Sequence, residues 1–191
     1  KEYAADTAGS HNNLGILHVS RGNYKEAESA YEEALRIYRE LKDEGDPEDS
    51  ARTAQIRRGM ADTMANLGVM YARMNRTEEA VKSYEAALAD MKILLGQGDD
   101  VQTRFRLVTA ASSLGALRNS RREYAQAEEV LLSARTVLAP LVENNPEEYE
   151  PRLAQVFYHL FHAARGRQDA EKAREYWEAA SEIAFRRRET S

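Results

Sequence analysis

At 191 residues, with 42% hydrophobic and 31% charged residues, the chain is long enough for one or two domains and carries a polar surface. A formal net charge of -5 gives no general attraction to nucleic acid or anionic lipid, so neither is expected as a partner. The absence of cysteine excludes disulfides, thiol nucleophiles and Cys-based zinc sites, and fits a cytoplasmic location.

No apolar run approaches the roughly 18 residues of a membrane span, and the opening Lys1-Glu2-Tyr3-Ala4-Ala5-Asp6 is not a signal peptide. The chain begins without methionine and enters a repeat almost at once, so it reads as a piece of a longer protein.

Taken in order, the pattern predicts a first helix over residues 3–20, carrying Asn13-Leu14-Gly15, and a second over 24–42. On the second, Tyr24, Ala27, Tyr31, Ala34, Tyr38 and Leu41 fall at alternating intervals of three and four, which makes one apolar helical face. Gly22-Asn23 separates the pair, and Gly45-Asp46-Pro47 ends it. Helices over 50–74 and 77–95 repeat the plan with Asn66-Leu67-Gly68 and then Ala80, Tyr84 and Ala87. Thr77 reads as the N-cap of the later one, its hydroxyl accepting from a free first-turn amide. Gly96-Gln97-Gly98 closes this unit. Helices over 101–119 and 124–143 carry Ser113-Leu114-Gly115, Ala127, Leu131 and Ala134, up to Asn145-Pro146. Those over 152–165 and 170–187 keep Leu160, Ala173, Trp177 and Ala180, with Phe161 where the others have glycine.

Four units therefore recur at roughly 50 residues, over about 1–43, 50–95, 101–144 and 150–188, as a single array. Small residues alternate with large ones in register. Gly15, Gly68 and Gly115 leave room for a neighbouring helix, and Tyr31, Tyr84 and Leu131 fill the gap one turn on. The fold class is all-α, made of helix-turn-helix hairpins.

These residues resemble the tetratricopeptide repeat family, whose hairpin has a Leu-Gly-x-x-Tyr start followed by spaced Ala, aromatic and Ala positions. Residues 66–88 match almost fully, 13–35 nearly so and 113–134 well. The long period, with Ala34-Leu35-Arg36-Ile37-Tyr38, looks like the lengthened repeats of kinesin light chains and bacterial members. The resemblance implies a right-handed superhelical solenoid of four hairpins whose first helices line a concave groove for a peptide or partner helix.

By the same resemblance, Asn12, Asn13, Asn66, Ser112, Ser113, Tyr158 and His159 face that groove. An Asn amide both donates and accepts, so Asn13 and Asn66 could hold an extended backbone, with Ser113 and His159 continuing the track. The alternative for both asparagines is a bond to a neighbouring helix or to water. The carboxylate clamp of co-chaperone members is not expected, because Asn12, Thr109 and Ser113 replace its cations.

His159 and His162 stand three apart without a third ligand, so no metal or other cofactor is expected. Phe157, Tyr158, Leu160 and Phe161 make this helix apolar on more than one side. Trp177 packed on Leu160 would explain that; the sharper reading is a homodimer interface through Phe157 and Phe161, or the docking surface for a missing next unit. Arginines at 104, 106, 118, 121 and 122 could attract an acidic segment, but Glu123, Glu128 and Glu129 lie among them. Arg186-Arg187-Arg188 suits the negative end of the last helix. No phosphate loop, nucleophile elbow or metalloprotease motif is present, so no catalytic residue and no enzyme is expected. The expected role is a protein-protein interaction scaffold, the alternative a homo-oligomerisation module or the regulatory arm of a larger protein.

Overall fold

The computed structural model describes residues 3–44, 49–98 and 100–189, so the expected Gly45-Asp46-Pro47 break lies outside the described residues. Among the described residues the chain is all-α. It runs α1 (Ala4–Ser20), α2 (Tyr24–Asp43), α3 (Ser50–Arg73), α4 (Thr77–Gln97), α5 (Val101–Ser120), α6 (Tyr124–Asn144), α7 (Pro146–Gly166) and α8 (Ala170–Glu189). Neighbours pair as four antiparallel hairpins, and the chain divides into two compact units, Lys1–Asp99 and Asp100–Ser191. In the first, α3 packs on both α2 and α1; in the second, α7 packs on both α6 and α5.

Each hairpin turns through one residue in the left-handed region: Gly22, Asn75, Arg122 and Gln168, with φ of 77°, 57°, 62° and 62°. The next N–H then reaches back five residues, as from Asn23 to His18 O at 2.9 Å and from Asp169 to Ala164 O at 3.0 Å. This is the Schellman closure, which satisfies carbonyls that the helix end leaves free.

Helix starts follow a different rule. Asp49, Asp100, Asn145 and Asp169 accept first-turn amides of α3, α5, α7 and α8. Thr77, expected as a cap, is instead the first residue of α4, and Arg76 holds the cap position without a side-chain capping bond. Its guanidinium is engaged by Glu28 and Glu79. α7 starts at Pro146, earlier than expected, because Asn145 caps it and proline at the first position has no amide to leave unpaired.

The small-large alternation closes the hairpins. A Cβ on Gly15 or Gly68 would come within 3.0 Å of the Tyr31 or Tyr84 ring, and one on Gly115 would meet Leu131. The same device joins successive hairpins, where Tyr38 closes on Gly59 in the first unit and Tyr124 on Gly166 in the second. The fourth hairpin departs from the plan. Phe161 fills the glycine place and holds the Trp177 ring off the α7 backbone, 5.2 Å from its own, which leaves Trp177 half exposed. Tyr176 takes the interior place, stacked 6.2 Å from Phe157, while Leu160 is buried without Trp177 above it.

Candidate functional site

In the first unit α1 and α3 lie side by side and present equivalent residues. Asn13 is exposed and Asn66 partly so; Asn66 donates from Nδ2 to Asn12 Oδ1 at 3.0 Å. One turn further along each helix stand Ile16 and Val69, both exposed. An aliphatic side chain held in water beside an amide, twice in one register, makes a stripe that is apolar along one edge and hydrogen-bonding along the other. The bond to Asn12 is the neighbouring-helix alternative expected for Asn66. Ile16 and Val69 each stand three residues after their Asn, outside the columns that the repeat pattern singles out.

The second unit arranges its candidates differently. Ser112 is buried, because it shares the inner side of α5 with Val108 and Gly115, so the expectation that it lines an open groove is corrected. Ser113 donates its hydroxyl to Thr109 O at 3.1 Å. The His159 carbonyl accepts from Asn119 Nδ2 at 2.9 Å, and burial, helped by the neighbouring His162, holds the His159 imidazole below the usual histidine pKa. Tyr158 is exposed, its ring 4.5 Å from that of His162. Phe157 and Phe161 are half-buried, occupied by Tyr176 and Trp177. Among the described residues no three His, Cys, Asp or Glu side chains gather as a metal site, and no helix is long and apolar enough to cross a membrane.

A carboxylate pair missed in the sequence anchors each unit. Glu28 follows Ala27 in α2; it accepts from Tyr71 Oη at 2.8 Å and from Arg76 Nη1 at 2.9 Å, both on the next hairpin. Arg76 also lies 4.4 Å above the Tyr71 ring. Burial, with the bond to Glu28, pushes the Tyr71 phenol up to about 12. Glu128 follows Ala127 in α6 and is buried; it accepts from Arg167 and, at 2.9 Å, from Lys172 Nζ. Val81 and Arg174 hold the same place in α4 and α8. Each anchor ties one hairpin to the next within its own unit.

A family model described as Tetratricopeptide repeat matches residues 6–93. Among solved structures, BtubC (BKLC) from P. vanneervenii is similar with a TM-score of 0.70 and 23% identity over 95% of this chain and 64% of that one. TPR-like repeats named for a kinesin light chain of Podosopora anserina give 0.62 and 16% over 94% and 75%. MamA protein gives 0.50 and 16% over 96% and 95%. At these identities the likeness is one of fold alone, and the chain spans 64% of the length of the first. No curated protein matches.

Proposed function

Since residues 6–93 match a tetratricopeptide repeat model, we propose that the chain is a scaffold that holds an extended protein segment along the α1–α3 stripe. One observation carries this reading: Asn13 with Ile16, and Asn66 with Val69, offer the same amide and aliphatic pair to solvent on adjacent helices. The Asn66 Oδ1 stays available to a peptide N–H while its Nδ2 is tied to Asn12. Ile16 and Val69 would cover an apolar side chain of the segment, so the amides read the backbone and the aliphatics choose the side chain. No catalytic residue belongs to this role. A cytoplasmic location, and the use of residues 1–191 as one repeat module, are parts of the same proposal.

The test is selection of a displayed random-peptide library on the immobilised chain. Enriched peptides should bind Asn13→Ala and Ile16→Asp at least about tenfold more weakly, the scale of one lost interaction near 1.4 kcal/mol. Ala89→Glu, exposed on α4 away from the stripe, should leave binding unchanged. If no peptide is enriched, or if the enriched ones ignore both stripe variants, the reading is wrong.

A further inference from the structure

We propose that the chain stacks on itself head to tail, the outer face of α8 in one copy seated on the α1–α2 face of the next. The starting point is a mismatch between equivalent positions. Leu14 and Leu17 stand in the columns of Leu67 and Met70. Leu67 and Met70 are 6% and 0% exposed, whereas Leu14 and Leu17 are both 43% exposed. In the first unit α2 supplies the cover for α3: Leu35 and Leu67 line one cleft, and Tyr38 closes on Gly59. Among the described elements α1 packs only on α2 and α3. Its other side opens into a cleft of about 800 Å³ bordered by His11, Leu14, Lys25, Ala30 and Arg36.

The missing cover has the form of α2, the second helix of a hairpin. α8 is also a second helix, and the columns that α2 turns to α3 are bare on it. Ser181 and Ala184 stand where α2 has Leu35 and Tyr38, and both are exposed. Beside them Trp177 is 51% and Phe185 62% exposed. Size fits across the two faces. Where Tyr38 needs Gly59 opposite it, the smaller Ala184 would meet Asp6, which holds the Gly59 column in α1.

Charge fits as well. On the internal seam Glu28 of α2 meets Arg76, which also binds Glu79. On α8 the Glu28 column carries Arg174; on the first hairpin the Arg76 and Glu79 columns carry Asn23 and Glu26. Arg174 pairs with Glu178 on its own helix at 2.9 Å but keeps most of its side chain in solvent, so it would meet Glu26 and Asn23 across a seam that continues the hairpin-to-hairpin interface already present inside the unit. Two different faces are joined, so association does not stop at a pair.

Sedimentation of the whole chain over a wide concentration range tests this. The average mass should climb past that of two chains. Leu14→Glu and Trp177→Glu should each stay single chains with unchanged helical circular dichroism, since both side chains are already solvent-accessible. Their equimolar mixture should form a one-to-one pair and nothing larger, because each variant keeps the face that the other lacks. Should either glutamate variant lose helicity, Leu14→Ser and Trp177→Ser carry the same test. A wild-type mass fixed at one chain, a variant that associates as the wild type does, or a mixture without the pair overturns the proposal.

Discussion

A helical glycine ordinarily costs about 1 kcal/mol relative to alanine, so Gly68 is retained for a reason, and the Tyr84 ring supplies it. The nearest ring atom lies 2.8 Å from where a Cβ would stand, and the ring is clamped inside the hairpin rather than free to swing. Gly96 has no such neighbour within 4 Å. Gly68→Ala is therefore expected to lose about 1–3 kcal/mol through overpacking, while Gly96→Ala is neutral or stabilising. Urea unfolding midpoints of the two variants decide it; equal shifts would mean that close approach of the ring is not what selects glycine. The turn residues make the converse case. Gln168 is exposed with φ of 62°, a conformation that disfavours a Cβ by about 1–2 kcal/mol. Gln168→Gly relieves that strain at the cost of some unfolded-state entropy. A rise in the unfolding midpoint is the expected outcome.

Between elements of the second unit, the anchor at Glu128 is testable because of its asymmetry. The carboxylate is buried, whereas Arg167 and Lys172 keep nearly half of their side chains in solvent. Removing the cations strands a charge away from water, at a cost of about 3 kcal/mol; removing the carboxylate leaves two cations that water can solvate. Arg167→Met with Lys172→Met should thus destabilise more than Glu128→Gln, and adding Glu128→Leu to the double variant should recover a large part of the loss. If the double variant melts like the wild type, the buried carboxylate is not held by these partners. Such links explain how far the sequence could be read. Gly15 with Tyr31 and Gly68 with Tyr84 were legible because each pair belongs to one hairpin and recurs at one spacing. Gly59 with Tyr38, Gly166 with Tyr124, and Asn12 with Asn66 join different hairpins, and no periodicity within a helix reports them. Trp177 differs: its column predicts an interior ring, and Phe161, which the repeat alignment already places in the glycine column, keeps that ring half exposed.

For the whole molecule, the balance of titrating groups sets a pH window in which the fold is most stable. His159 is held below the ordinary histidine value of 6.5, first by burial and then by His162. Between its folded value and 6.5 the unfolded chain binds more protons than the folded one, so stability rises with pH and is complete above 6.5. At the other end Tyr31 is pushed up from 10.0 to about 12, mainly by burial, and Tyr71 likewise. Above pH 10 the unfolded chain loses phenolic protons that the folded chain keeps, so stability falls as pH rises toward 12. A plateau from about 6.5 to 10 follows, with its acid edge set in large part by one imidazole. His159→Gln removes that titration while keeping a polar side chain of similar size. Urea midpoints measured on both sides of pH 6.5 should slope for the wild type and flatten for the variant. An unchanged slope would mean that the His159 imidazole does not set it; Glu33 and Glu79, whose arginine partners hold them below their usual range, add a separate loss only as pH falls through 4.5 and below.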